Sequence, residues 1–208
     1  MKRSLLHLIA GCAAIASSFP LIVQADTPTR YPTSEEIDRI IQEFQERAAS
    51  PPRTRECCTG AESDGRDLET KQALENFVRA WSQINPNVGP FLGHWINNDA
   101  SIIVYPSNTR GEVCIVYEDP LSHFFNQGSL VNGTIRINSG ILKNHTLIHQ
   151  TNSKGNVFLL DASFDNGQAN ASAGQDIYTA PQHPNSFSRF PNSIVEKLNN
   201  AGCSAGVP

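Results

Sequence analysis

Apolar residues recur with the period of an α-helix in two stretches early in the chain. The first begins at Thr33, which forms a capping-box pattern with Glu36, and ends near Ala49 before a pair of prolines. The second ends at Asn85, directly before a proline. Its large apolar residues form one stripe: Leu74, Phe77, Val78, Trp81 and Ile84. The pattern therefore predicts two amphipathic helices, each with one face for a core.

After residue 100 the apolar period changes from helical to alternating. Short runs separated by turn clusters predict five strands, at residues 101–106, 112–118, 129–137, 141–150 and 156–162. An extended piece around Ile177 and Tyr178 would add a sixth strand, and residues 193–199 predict a brief final helix. Gly133 falls inside the third predicted strand, where we interpret it as a bulge or a close approach.

The order of these elements predicts an α+β fold. N-terminal helices would pack on a curved antiparallel β-meander or small barrel of five to six strands. The 208 residues divide into a signal peptide (1–25), an N-terminal helix with a flexible cysteine-containing loop (26–66) and the α+β domain with the meander (67–208).

The beginning of the chain has the features of a secretory leader. Lys2 and Arg3 precede a mostly apolar run at residues 5–23, and small residues suit cleavage after Ala25. Polar residues and a proline interrupt the run, which makes it a poor permanent membrane span. We therefore expect an exported protein, in the periplasm, outside the cell or in an equivalent lumen. The alternative is a lipid anchor at Cys12, which ends a lipobox-like sequence after an apolar stretch that is short for a signal peptide.

Four cysteines remain after cleavage: Cys57, Cys58, Cys114 and Cys203. An even number of cysteines in an exported chain favours two disulfides. Because adjacent cysteines pair only through a strained ring, we expect Cys57 and Cys58 to bond separately, one to Cys114 and the other to Cys203. Which of them bonds to which stays open. Cys114 falls on the face of its strand opposite Val113, which suits a bond to an element packed over that side.

Charge and motifs exclude several classes of partner. The chain has 16 basic and 20 acidic residues and no cluster of Lys and Arg, so we expect no nucleic-acid partner. Motifs for phosphate, dinucleotide or zinc binding are missing, and we expect no cofactor. His145 and His149 have a spacing that could chelate a metal on a helix. On a strand they would lie about 13 Å apart, so we expect no metal site there.

Groups that could carry catalysis are scattered along the chain. We interpret Glu112, Glu118 and Asp161 as solvated strand ends, since the two glutamates would lie about 20 Å apart on one strand. An exported hydrolase assembled from distant residues is the alternative function. Its first candidate residues are His94, His123 and Asp161.

The segment Gly93-His94-Trp95, which precedes the first predicted strand, resembles the Gly-x-Trp motif that opens lipocalin-like (calycin) barrels. The resemblance implies that Trp95 closes one end of a barrel whose inward side chains line or fill a pocket. The inward residues would be Trp95, Ile103, Val113, Ile115, Tyr117, Val131, Ile135, Phe158 and Leu160. The chain departs from that family in its five or six strands, against eight, and in the helices before the motif.

The chain is also similar to NTF2-like cone folds. Helices come first, Ala80-Trp81 lies near the end of the second, and a curved antiparallel sheet follows. Either resemblance implies a pocket for a small apolar ligand. We therefore predict an exported, disulfide-stabilised, non-catalytic binding or accessory protein with a small apolar ligand or a protein partner. The alternatives are the hydrolase and an assembly factor that acts through protein contacts.

Overall fold

The computed structural model describes residues 30–49, 66–96, 100–153, 155–165, 167–171, 178–184 and 187–208. The predicted leader and the predictions on Cys12, Cys57 and Cys58 lie outside these residues.

Both predicted early helices are present. Helix α1 spans Ser34–Ala49 and begins with the predicted capping box, in which the backbone N–H of Thr33 donates to a Glu36 oxygen at 2.7 Å. Helix α2 spans Leu68–Ile84, and the Asp67 side chain caps it by accepting from the backbone N–H of Thr70.

A third helix, α3, spans Asn192–Asn200 close to the predicted position. Two short 3₁₀ helices also occur, at Gly89–Phe91 and Phe187–Arg189. None of the helices in the described ranges is long and apolar enough to cross a membrane.

The described part of the chain forms one antiparallel sheet of nine strands, which exceeds the predicted five to six. The strands are β1 Gly93–Ile96, β2 Ser101–Pro106, β3 Glu112–Glu118, β4 His123–Val131, β5 Thr134–Ile137, β6 Thr146–Thr151, β7 Val157–Asp165, β8 Gln168–Ala171 and β9 Tyr178–Gln182. The alternating pattern did not indicate the short strands β1 and β8 or the first half of β4.

The sheet curls until its pairings return to the starting strand. The order is β6-β5-β4-β3-β2-β1-β9-β7-β8, and β6 also pairs with β7. Eight strands therefore form a hydrogen-bonded circuit, and among the described strands β8 pairs with β7 alone. The register shifts where β1 meets β9. An α+β fold with a curved antiparallel sheet is thus confirmed in its coarse form.

The single strand predicted at residues 129–137 is instead a hairpin. Asn132 and Gly133 both have positive φ, 50° and 79°, and connect β4 to β5. Two consecutive residues in this region form the tight turn whose twist matches that of paired strands. The bulge interpretation of Gly133 is therefore wrong.

In the described part of the chain, three apolar clusters pack against the two faces of the sheet. The inner face packs with α2, through residues that include Phe77 and Trp81. On the outer face, α3 covers β2 and β3, and α1 covers β6 and β7. Each helix therefore buries its apolar stripe against a different part of the curled sheet.

A disulfide joins Cys114 on β3 to Cys203 after α3. Cys114 lies on the α3 side, which confirms the predicted face. The predicted pairing is wrong, because Cys114 and Cys203 bond to each other and not to Cys57 or Cys58. Residue Ser107 pairs with Cys203 as an isolated bridge, which brings the segment after α3 beside the end of β2. No local pattern in the sequence indicates that neighbourhood.

Candidate functional site

A groove of about 440 Å³ lies between the connection from α2 to β1 and the β4–β5 hairpin. We refer to it as the Phe91 groove. Its lining residues are Pro86, Asn87, Pro90, Phe91, Leu130, Gly133 and His149. Three separate parts of the chain therefore contribute to one surface.

The wall that contains Phe91 is built by a sharp return of the chain after α2. The backbone N–H of Asn85 donates to the carbonyl of Trp81 at the end of the helix. Gly89 then packs so closely that a Cβ there would collide with the hydroxyl of Ser82. Pro90 lies inside the 3₁₀ helix that follows. This compact turn presents the prolines to solvent and buries the ring of Phe91.

Trp95 connects this wall to the core. Its indole N–H donates to the carbonyl oxygen of Phe91 at 2.8 Å, and the ring is completely buried. A buried indole needs such a partner, because an unsatisfied N–H is costly. The hydrogen bond therefore holds the entry to β1 and the groove wall in a fixed relation.

His149 supplies a polar group between aromatic rings. Its imidazole makes edge contacts with Phe91 and Trp95, with ring centroids 6.0 Å and 6.3 Å away. Burial lowers the pKa of His149 below its ordinary value. The ring is therefore neutral at pH 7, with one nitrogen that donates and one that accepts.

The residues predicted to line one pocket are divided among different surfaces. Four of them are completely buried in the inner cluster, namely Trp95, Val113, Ile115 and Ile135. Tyr117 packs against the same cluster. Ile103 packs under α3, whereas Phe158 and Leu160 pack under α1. Val131 is half-buried at the end of β4, next to Leu130 of the inner side.

This division has a simple cause. Neighbouring residues of a strand point to opposite faces, so a shift of one residue exchanges inside for outside. Every residue of β2 is buried, because helices or sheet cover both faces. The apolar pattern of β2 therefore does not show that Ile102 points inward and Ile103 points outward.

The two histidines proposed for a hydrolase converge on Glu118. His123 Nε2 lies 3.2 Å from Oε1 of Glu118, and His94 Nε2 lies 3.6 Å from Oε2. The hydroxyl of Ser101 donates to Oε2 at 2.6 Å, and Arg189 lies 3.4 Å from the same oxygen. The Glu118 side chain is only 16% exposed, so its interpretation as a solvated strand end is wrong.

Asp161 belongs to a different group. Its two oxygens lie 2.9 Å and 3.1 Å from Nδ1 of His145, and its side chain is almost completely buried. Burial lowers the pKa of His145, but the hydrogen bond and charge of Asp161 raise it above the ordinary value overall. Asp161 is therefore neither a solvated strand end nor, on this geometry, a partner of His94 and His123.

Within the described ranges, no group of three or more His, Cys, Asp or Glu side chains could hold a metal ion. The spacing of His145 and His149 is consistent with this, since one faces Asp161 and the other faces Phe91.

Sequence reasoning missed His149 and Glu118. The sequence places His149 on a strand, but its position among aromatic rings depends on distant parts of the chain. The pairing of Glu118 with His123 had a local signal. The turn at residues 119–122 places the two side chains opposite each other in a hairpin.

Comparison of the chain with protein-family models, with curated proteins and with solved structures finds no match. The lipocalin-like and NTF2-like resemblances therefore stay predictions.

Proposed function

We propose that this protein is an exported, non-catalytic binding protein whose Phe91 groove takes a small, uncharged, largely apolar ligand. The observation that carries the proposal is the groove itself. Its volume of about 440 Å³ falls within the range of roughly 300–1,000 Å³ that is typical of small-molecule sites. A protein of this design would bind and carry or present its ligand without changing it.

The lining residues indicate the chemistry of the ligand. Leu130 and the two prolines offer apolar contacts above the buried ring of Phe91, whereas Asn87 and His149 offer hydrogen bonds. Because the lowered pKa keeps His149 neutral, none of the lining residues carries a formal charge at pH 7. A charged ligand would lose its hydration in this groove without gaining an ion pair. We therefore infer an uncharged molecule with one polar group.

Export is supported by two independent features. The leader at residues 1–25 has the composition of a signal peptide, and Cys114 and Cys203 form a disulfide. Disulfides persist mainly in oxidising compartments. The leader and the disulfide thus both point to an oxidising compartment outside the cytoplasm.

The Glu118 cluster supports binding over hydrolysis. In an activated nucleophile, the hydroxyl contacts a histidine that takes its proton. Here the Ser101 hydroxyl donates to Glu118, and the histidines contact the same carboxylate. The hydroxyl therefore already donates its hydrogen bond to a carboxylate, and that carboxylate also forms an ion pair with Arg189.

The lipocalin-like resemblance stays part of the proposal and gains two supporting features. The circuit contains eight strands, which is the number that the resemblance implies. Trp95 is completely buried in β1, at the entry to the sheet, where that resemblance implies the closing residue.

Titration with N-phenyl-1-naphthylamine, an uncharged aromatic probe, tests the proposal. Its fluorescence should rise on binding to the oxidised protein. The variant Asn87→Trp fills the mouth of the groove from an exposed position and should weaken binding at least about tenfold, a loss of about 1.4 kcal/mol.

Asn170→Trp is the matched control, because Asn170 is exposed on β8 and does not line the groove. This variant should bind the probe like the wild type. Equal binding by Asn87→Trp and Asn170→Trp would place the probe elsewhere, and a wild type that does not enhance its fluorescence would contradict an apolar site.

A further inference from the structure

Glu118 lies at the centre of a row that crosses three strands. Ser101, Glu118 and His123 are direct partners across β2, β3 and β4. Their side chains point to the outer face, on the same side of β3 as Cys114. A polar row in this position lies at the edge of the apolar cluster under α3.

Residues 187–190, which we call the latch segment, pack over this row. Arg189 lies 3.4 Å from Glu118, and its guanidinium stacks over the ring of Phe190 at 4.9 Å. The ring of Phe187 makes an edge contact with Tyr105 at 5.0 Å, and that of Phe190 contacts His123 at 5.6 Å. One ion pair and several ring contacts therefore hold the segment on the sheet.

The position of Tyr105 indicates that packing of the latch segment on the sheet has a cost in free energy. Its side chain is completely buried, and its hydroxyl lacks a hydrogen-bond partner of good geometry among the described residues. Burial raises the pKa of Tyr105, so the hydroxyl keeps its proton. Arg189 of the latch segment acts on this hydroxyl and opposes part of that rise, so opening of the segment would replace a guanidinium neighbour by water.

His94 is the buried titratable group that lies beside both Glu118 and Arg189. Its ring is 8% exposed, and burial together with the charge of Arg189 lowers its pKa to about 4, although Glu118 acts in the opposite direction. In water the pKa of histidine is about 6.5. Between these values, a state in which His94 is hydrated binds a proton more readily than the closed state.

Other titratable and charged groups lie around His94 on the neighbouring elements. Glu118 faces it from β3, His123 lies beyond Glu118 on β4, Tyr105 is on β2, and Arg189 is on the latch segment. A proton on His94 would put a second positive charge beside Arg189, and both would compete for Glu118. Repulsion and hydration therefore act in the same direction.

We propose that His94, Glu118 and Arg189 form an acid-opened latch, which holds residues 187–190 on the sheet at neutral pH and releases them in mildly acidic surroundings. The closed state is fully favoured above pH 6.5 and loses its advantage as the pH falls toward 4. Helix α3 stays in place, because the disulfide from Cys203 to Cys114 anchors the chain beyond the latch segment. This proposal does not depend on the Phe91 groove.

Hydrogen exchange of the oxidised full chain at pH 7 and pH 5, corrected for intrinsic rates, tests the latch. The reporter is the N–H of Phe190, which donates to the carbonyl of Phe187 at 2.9 Å. Its corrected exchange should rise about twentyfold from pH 7 to pH 5, which is the shift expected when one group changes its pKa from about 6.5 to about 4. Exchange within α3 should stay slow.

Three variants separate the causes. His94→Gln should reduce the acid response of Phe190 to less than about threefold, whereas His145→Gln, at the other histidine–carboxylate pair, should keep it in full. Arg189→Gln alters a partly exposed side chain and should make exchange fast already at pH 7. A wild type without the acid response, an unchanged response in His94→Gln, or slow exchange in Arg189→Gln at pH 7 would each overturn the proposal.

Discussion

Cys203 is bonded to Cys114, and the two residues are 89 positions apart in the chain with their Cα atoms 6.2 Å apart. The bond joins the segment after α3 to the outer face of β3. The backbone N–H of Cys203 also donates to the carbonyl of Leu198, which continues the last turn of the helix. The backbone N–H of Ser204 donates to the carbonyl of Pro106 on β2, so this segment is joined to the sheet by both a covalent bond and a hydrogen bond.

Removal of this disulfide should destabilise the protein substantially. In the chain-entropy model, a loop of this length restricts the unfolded chain by about 4 kcal/mol. The double variant Cys114→Ala/Cys203→Ala, which leaves no unpaired partner of the bond, should lose about that much free energy of unfolding. Urea denaturation of the two proteins measures it. A loss below about 1 kcal/mol would mean that the bond does not close this loop in the native protein.

Gly140 should not tolerate a side chain. Its φ is +77°, and a Cβ would collide with the Asn126 side chain and lie 2.5 Å from the carbonyl oxygen of Phe125. The Asn126 side chain in turn accepts from the backbone N–H of Leu142. Gly140→Ala should therefore disrupt this turn as well as strain the backbone.

Gly111→Ala is the control for Gly140→Ala. Gly111 has a similar φ of +81° but nothing within 4 Å of the added Cβ, so it measures the backbone strain alone. Gly140→Ala should cost about 2 kcal/mol more free energy of unfolding than Gly111→Ala. Equal losses in thermal or urea unfolding would contradict the predicted collision.

Phe158→Ala should separate stability from ligand binding. Phe158 packs under α1 and makes an edge contact with Phe44 at a centroid distance of 5.0 Å. Loss of the ring should cost about 3 kcal/mol, as is usual for a large buried aromatic residue. The affinity for N-phenyl-1-naphthylamine should stay unchanged, since Phe158 does not line the Phe91 groove. Weaker probe binding by folded Phe158→Ala would assign the ligand to the surface under α1.

The pair of His145 and Asp161 should make stability depend on pH in the direction opposite to His94. Because the folded protein raises the pKa of His145, its stabilising contribution is complete below about pH 6.5 and is lost as the pH rises through the raised value. His145→Gln should therefore destabilise the protein more at pH 5.5 than at pH 9. Urea unfolding at the two pH values measures the difference. An effect that is larger at pH 9 would reverse the assigned sign.

The helices were predictable because their signals are local. Thr33 and Glu36 form the capping box that the sequence indicates, and a proline follows α2. The hairpin succession of strands was predictable for the same reason, since turn residues lie between alternating runs. The hairpin at Asn132 and Gly133 was missed, although two such residues in sequence are a strong turn signal.

The candidate sites were much less predictable. The Phe91 groove combines a turn after α2 with Leu130 on β4 and His149 on β6, which lie about 40 and 60 positions further along the chain. Glu118 gathers His94, His123 and Arg189 from three other elements. Apart from the hairpin partners Glu118 and His123, these residues meet through the curl of the sheet and the packing of later segments on it, which no local pattern in the sequence indicates.

The sequence by itself determined the helix positions, the alternation of most strands and the face of β3 on which Cys114 lies. Each of these depends on residues within a few positions of one another, or on the strict two-residue period of a strand. The tertiary structure alone decided that Cys114 bonds to Cys203, that Ile102 and not Ile103 faces inward, and that β6 returns to pair with β7. The physical reason is that closure of the sheet and packing of helices on both of its faces depend on contacts between residues far apart in the sequence.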